Sequence, residues 1–319
     1  MKYFVDSIIK PSKVSLGTAT HFAIYNGNNA RYYIALSERV GRKAGRRLSK
    51  NISAYSGKLG MLMGLLGIVP YRILQLARIG AFVKLEVDEQ VHDTLDKVRK
   101  DVLKEEKIWW NVIVGSYVEK QKVVFQCFSR KQNRSSVYVK VGGLKVSNEM
   151  YAETAYLKEP IKSHLFTSPT LCFAEQIGEG KKYNIQVTEE FTGTKVAPQI
   201  TPEIYEMFRA ISDFKKRVLP SGEILTFSHG DFTPWNMKKE NNKYIVFDWE
   251  YCGMRFYGFD LIHFLWQVEN KLNKKTIEES MKRAIQNAKK IDEQLRDVPD
   301  ELLEKKYFST LEKQFGKTF

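Results

Sequence analysis

The stretch SHGDFTPWNM, residues 228–237, packs a histidine, a glycine, an aspartate, a proline and an asparagine between two apolar segments. EILTF (223–227) precedes it, and KYIVFDWE (243–250) follows a short charged connector. Pro234 disfavours helix here, so the stretch reads as a loop between two strands. Such a loop can turn Asp231 and Asn236, five residues apart, to the same side. Asp248 ends the second apolar run, twelve residues after Asn236.

Two carboxylates and an amide oxygen are hard oxygen ligands, of the kind that hold magnesium on phosphates. A carboxylate left free of the metal can take a proton from a hydroxyl nucleophile. Alone, the loop also reads as a polar turn in which Asp231 and Asn236 satisfy nearby backbone groups. Residues upstream favour the first reading. Lys140 lies in the strand-like VYVKVG (137–142), and Glu149 and Glu153 lie on the next helical stretch. Four residues apart, the two glutamates share nearly one face, and either can pair with Lys140; the early helix position favours Glu149. Gly115 and Ser116 end an earlier apolar run, where bare backbone can approach a phosphate. A strand lysine, a helix glutamate, a glycine-containing loop, a catalytic aspartate and an Asn/Asp metal pair are the parts of a kinase site.

HGDFTPWN followed by IVFDWE resembles the aminoglycoside phosphotransferase and choline kinase superfamily, small-molecule relatives of protein kinases. The family pattern is His-Gly-Asp, four residues, Asn, then an apolar strand ending in Asp, and it falls here on His229, Gly230, Asp231, Asn236 and Asp248. FYGFDLIHF supplies the family's further aspartate, Asp260, without its usual proline. VYVKV and SNEMYAETAYL look like the family's lysine strand and glutamate helix, whereas VGSYVEKQK matches the glycine loop weakly. The resemblance covers about residues 109–290. It implies an ATP- or GTP-dependent, magnesium-dependent phosphotransferase with Asp231 as base. His229, in the catalytic loop, shapes it. Asn236 and Asp248 would hold the metal, and Lys140, held by Glu149, would contact the phosphates. The base of the nucleotide is expected near Thr188 to Phe191, including Glu189 and Glu190. The acceptor would be a hydroxyl of a small molecule or glycan. The competing function is a non-catalytic nucleotide-binding or regulatory protein on the same scaffold.

The implied fold is α+β and two-lobed, protein-kinase-like: an antiparallel β-rich N-lobe with one helix, and a mostly helical C-lobe. A mixed α/β N-terminal extension precedes it. The divisions fall at 1–107 (basic extension), 108–191 (nucleotide-binding lobe) and 192–319 (catalytic and substrate lobe). HFAIYNGNNARYYIAL (21–36) reads as a hairpin around Asn-Gly. Asp88 caps a helix with Val91, Leu95, Val98 and Val102 on one face. Ile204, Phe208, Ile211 and Phe214 are spaced for one buried face. Three helical stretches, 257–270, 274–296 and about 300–315, finish the chain. His21, His92, His164 and His263 show no ligand spacing and read as structural. Trp235, Trp249 and Trp266 read as packing, with Trp249 and Glu250 the first candidates for substrate contact.

The formal net charge of +14 attracts anions. Eight basic residues between Arg31 and Lys58 face one acid, Glu38. With the uncharged LGMLMGLLGIVPY that follows, residues 31–83 can dock peripherally on an anionic membrane face; the competing reading is a small core with a solvated basic face. No nucleic-acid reader motif is present, so no specific nucleic acid is expected. Cys127, Cys172 and Cys252 are odd in number and far apart, which argues against a disulfide framework or a zinc site. MKYFVDSIIKPSK lacks the apolar core of a secretion signal. A cytoplasmic location is therefore expected, peripheral at the inner membrane face if the basic stretch docks.

Overall fold

The computed structural model describes residues 4–15, 17–26, 29–36, 80–115, 120–129 and 137–315. The basic stretch beyond Leu36, the apolar run after it, Ser116 and the hairpin's Asn-Gly turn lie outside the described residues. The chain divides into two compact units, Met1–Met150 with Thr170–Glu190, and Tyr151–Pro169 with Phe191–Phe319. The class is α+β, as expected.

The first unit is built on strands β1 (Ile9–Lys13), β2 (His21–Asn26), β3 (Asn29–Ala35), β4 (Gly80–Val87), β5 (Ile108–Val114), β6 (Lys122–Ser129), β7 (Val137–Gly143), β9 (Leu171–Ile177) and β10 (Tyr183–Glu189). They form one antiparallel sheet in the order β1-β4-β2-β3-β5-β6-β7-β10-β9. Short β-branched and aromatic runs between turn residues favour this pleated surface. Side chains alternate between faces. The cross-strand row Val112, Phe125, Val139 and Val187 therefore lies on one face, buried in a cluster that also holds Val91, Leu95 and Val98. Those three belong to helix α2 (Glu89–Lys97) and its continuation; α1 is the short turn Val5–Ile8. Asp88 caps α2 by accepting the Gln90 N–H, as expected. The adjacent row Asn111, Gln126, Tyr138 and Thr188 gives the opposite face a polar stripe.

The boundary expected at residue 107 falls inside this unit. Tyr32 and Tyr33 of β3 pair with Ile113 and Val112 of β5, so the described N-terminal strands extend the β-rich sheet. Periodicity marks each strand, but which strands share an edge depends on pairing between residues some eighty apart.

The second unit carries helices α4 (Pro202–Phe214), α5 (Phe259–Gln267), α6 (Ile277–Ile291) and α7 (Asp300–Phe315); α3 (Ser147–Lys158) runs through the division. Two small sheets complete it, in the orders β11-β14-β15-β8 and β12-β13-β16. They comprise β8 (Phe166–Thr167), β11 (Thr194–Lys195), β12 (Lys216–Val218), β13 (Ile224–Ser228), β14 (Met237–Glu240), β15 (Lys243–Val246) and β16 (Gly253–Phe256). Thr201 caps α4, and Ile204, Phe208 and Ile211 are buried as expected. Phe214 is not: it is 46% exposed. As the last residue of α4 it lies past the packed turns and meets the Phe227 ring edge-on at 5.2 Å. Among the described residues no helix is long and apolar enough to cross a membrane.

His21 has the structural role expected of it. It is buried, with Nδ1 2.9 Å from Thr20 Oγ1 and Nε2 3.0 Å from the Trp110 carbonyl. Burial pushes its pKa down from 6.5 to about 4, against a smaller opposing effect of that carbonyl. The unfolded chain therefore takes up this proton first as pH falls. The stability contributed by neutral His21 is complete above about pH 6.5 and is lost toward about pH 4, by roughly 3 kcal/mol in all. Urea-unfolding midpoints across that window should fall more steeply for the wild type than for His21→Gln.

Candidate active site

The spacing between Asn236 and Asp248 has a simple origin. Strands β14 and β15 form a hairpin with Met237 opposite Val246 and Glu240 opposite Lys243. Its turn residues, Asn241 and Asn242, both have positive φ, 52° and 34°, the geometry of a tight hairpin turn whose twist suits the strands. Asn236 and Asp248 flank the open end of this hairpin, where the Phe247 N–H donates to the Asn236 carbonyl at 3.0 Å. The charged connector MKKENNK is thus a strand and a turn.

The loop before Asn236 is anchored from below by Asp260 in the first turn of α5. Its buried carboxylate accepts from Ser228 Oγ (2.8 Å), His229 N (2.7 Å) and Gly230 N (3.0 Å). Gly230 has φ +85°, and a Cβ there would collide with the Tyr251 carbonyl, so only glycine fits. His229 is fully buried and tilts against Trp249, ring centroids 4.3 Å apart. Burial pushes its pKa down, with Asp260, Asp231 and Asp248 opposing that effect. Nδ1 accepts the Asp231 N–H at 3.2 Å, and Nε2, which carries the proton, donates to the Phe247 carbonyl at 3.1 Å. Both ring nitrogens are engaged in joining the loop to the hairpin, so His229 positions the loop rather than the reacting proton.

Asp231 is a quarter exposed at its side chain, 26%, in otherwise buried surroundings. Asn236 Nδ2 donates to its Oδ2 and to its backbone carbonyl, each at 2.9 Å. That leaves Asn236 Oδ1 with no hydrogen-bond donor among the described residues and directs it away from Asp231. Asp231 Oδ1 is held by His263 Nε2 at 2.9 Å, and His263 Nδ1 is 2.8 Å from the Tyr307 hydroxyl. His263 is one of the histidines read as structural. Its position one turn after Asp260 on α5 is the signal that could have placed it beside the loop.

Asp248 adopts the left-handed conformation, φ 68°, ψ 54°, which strains a residue with a Cβ and is concentrated at functional sites. Oxygens of Glu153, Asp248 and Glu250 lie within 4.8 Å of one another. Three carboxylates this close repel unless a cation or protons intervene. Their hard oxygens are of the kind that bind magnesium or calcium. Glu153 is buried and Glu250 half-buried; the sequence singled out Glu250 only as a substrate contact. Trp249, its companion in that reading, is fully buried, stacks on Tyr156 at 3.9 Å and donates its indole N–H to the Val246 carbonyl. It is a packing residue.

The remaining expected residues lie in the first unit. Lys140 sits mid-strand in β7, half-buried, opposite Val124 and Gln186. Glu149 ion-pairs with Lys120 at 2.5 Å, which differs from the expected pairing with Lys140; on the same helix, Glu153 is the more buried glutamate. The Gly115 N–H donates to the Lys122 carbonyl, and its own carbonyl accepts from Arg31 at 2.8 Å. Both backbone groups are held within the sheet, so Gly115 is not the bare phosphate contact expected of it. Glu189 is exposed at the end of β10, and Glu190 accepts from Gln126 Nε2 at 3.1 Å. A cavity of about 1440 Å³ in the second unit is lined by residues including Lys162, His164, Arg209 and Lys243, and by none of Asp231, Asn236 and Asp248.

Asp260→Ala removes the shared acceptor of three buried donors. It should destabilise the second unit by about 3 kcal/mol or more, read as a lowered urea midpoint. Asp260→Asn retains one acceptor oxygen and should cost less.

Residues 157–305 match the choline/ethanolamine kinase family model. No curated protein sequence matches the chain significantly. Similar solved structures include the amicoumacin kinase hAmiN in complex with AMP-PNP, Ca2+ and Ami (14% identity, 64% of this chain and 78% of that one, TM-score 0.39). Another is a protein designated a fructosamine-3-kinase, from Haemophilus somnus 129PT (11% identity, 60% and 85%, TM-score 0.39). The matched stretch, a little under half of the chain, holds Asp231, Asn236, Asp248 and Asp260, and over it the chain is similar to the choline/ethanolamine kinases.

Proposed function

We propose that this chain transfers the γ-phosphoryl group of ATP or GTP to a hydroxyl of a small molecule or saccharide, with Asp231 as the base. The observation that carries the reading is the Asp231–Asn236 pair. One carboxylate, fixed on both oxygens yet partly open to solvent, sits beside an amide whose oxygen points elsewhere. Magnesium, when bound by Asn236 Oδ1 and Asp248 with Glu153 and Glu250 close by, would neutralise phosphate charge. Asp231 orients the acceptor hydroxyl and receives its proton as the new O–P bond forms. His229 and Asp260 keep the loop in the conformation that lets it do so. Lys140 is the candidate phosphate contact on motif order.

The net charge of +14 disfavours a polycationic acceptor, which calls for a carboxylate-lined cleft. A neutral or anionic hydroxylated acceptor, such as a glycan, fits better. Peripheral docking on an anionic membrane through residues 31–83 would bring the enzyme to a lipid-linked acceptor. Within that stretch Arg31 donates to the Gly115 carbonyl.

Magnesium-dependent thermal stabilisation by ATP, followed by a screen of hydroxylated metabolites and glycans for ATP consumption, tests the reading. Asp231→Asn should bind Mg·ATP as the wild type does and lose kcat by a factor on the order of 10² to 10⁴; near-wild-type turnover would sink the base assignment. Asp248→Ala and Asn236→Ala should instead weaken Mg·ATP binding, and an unaltered magnesium dependence in both counts against the metal assignment. Pelleting with anionic liposomes at low salt, lost at high salt, is expected if the basic stretch docks.

A further inference from the structure

The contacts behind Asp231 lead to the last helix of the chain. Tyr307, Leu303 and Leu311 are the buried residues of α7, four residues apart and so on one stripe. Tyr307 is fully buried, and its hydroxyl meets one polar partner among the described residues, His263 Nδ1 at 2.8 Å. His263 is fully buried too, and its Nε2 meets Asp231 Oδ1 at 2.9 Å. Two turns beyond Tyr307 on the same helix, Gln314 Nε2 donates to the Gly230 carbonyl at 3.2 Å, while its Oε1 accepts from Arg255 at 2.8 Å. One helix therefore supports the loop at two adjacent residues, Gly230 directly and Asp231 through His263.

The proton positions in this chain follow from the donors and acceptors. An ionised carboxylate only accepts, so Nε2 of His263 carries a proton and donates it to Asp231 Oδ1. Burial keeps the Tyr307 phenol protonated. With His263 as its single polar partner among the described residues, the hydroxyl satisfies its own proton by donating to Nδ1. The imidazole is then neutral, with its proton on Nε2, and Tyr307 selects that tautomer. The Gln267 amide, whose nitrogen is placed 3.4 Å from Nε2, is compatible with this once its oxygen and nitrogen are exchanged, an assignment made from hydrogen bonding.

We propose that α7 is a splint for the catalytic loop: Tyr307 and His263 are positioning residues that fix the Asp231 carboxylate through Tyr307 Oη–H···Nδ1 and Nε2–H···Oδ1, and Gln314 holds the neighbouring Gly230. The inference rests on Asp231 as the base. With Oδ1 occupied by His263 and Oδ2 by Asn236, the carboxylate cannot rotate, and the lone pairs that remain face one direction. No proton leaves His263 in this arrangement; its role is to keep the base aimed.

The decisive measurement is the tautomer of His263, read from ¹⁵N imidazole shifts in histidine-labelled full-length protein, with His263→Gln identifying its signals among the five histidines. Protonated Nε2 and bare Nδ1 are expected in the wild type, with a mixture of tautomers in Tyr307→Phe. A proton on Nδ1 in the wild type overturns the proposal, as does an unaltered tautomer in Tyr307→Phe. ATP turnover with magnesium and water as the acceptor supplies the kinetic arm. Tyr307→Phe should lower kcat about tenfold to a hundredfold, in the range that supporting hydrogen bonds have elsewhere, and leave the KM for Mg·ATP unaltered. His263→Gln, which keeps an N–H donor, should retain more activity than His263→Leu. Wild-type turnover in His263→Leu overturns the proposal. If the wild type neither binds nor turns over Mg·ATP, the phosphotransferase reading fails, and the imidazole shifts still decide whether Tyr307 sets the tautomer.

Discussion

One buried carboxylate organises the second unit. Asp260 accepts from Ser228, His229 and Gly230 together, and without it the buried His229 N–H would lose its acceptor and the Gly230 N–H would keep only Ser228 Oγ, at 3.1 Å. A backbone turn this tight, with Gly230 at φ +85° against the Tyr251 carbonyl, has no helix or strand ladder to satisfy its donors. Placing Asp260 in the first turn of α5 also sets a negative charge near a helix N-terminus, where the helix dipole favours it. The loop, the helix and the strand end at Ser228 thus share one acceptor.

From that anchor the remaining geometry follows by short steps. His229 joins the loop to the hairpin through its two ring nitrogens, and burial keeps the imidazole neutral so that one nitrogen can accept. The hairpin carries Asn236 and Asp248 at its ends. Asn236 returns to the loop through its bonds to Asp231, closing a ring of contacts. Asp248 alone in that ring has a strained backbone, and it stands where the three carboxylates converge.

The first unit shows a different economy. Its described strands, whether before or after residue 107, make one sheet, and α2 covers one face with Val91, Leu95 and Val98. Asn111 and Gln126, buried and bonded to each other at 3.1 Å, continue to Glu190. A polar row of this kind favours one strand register, because a shift by one residue would leave each amide without its partner.

The sequence by itself determined the local elements and the chemistry of the loop. Apolar alternation marked β5, β6, β7 and β10, Asp88 and Thr201 marked helix starts, and the HGD-x4-N pattern with Asp248 marked the candidate site, because these signals lie within a dozen or so residues of one another. Only the tertiary structure decided which distant groups met. It joined β3 to β5 across the expected boundary, gave Glu149 to Lys120, enclosed Gly115 in the sheet, brought Glu153 to Asp248, and set His263 and Tyr307 behind Asp231. Most of these contacts span tens of residues and form only once the core has packed. That condition is set by the folded geometry and leaves no periodic trace along the chain.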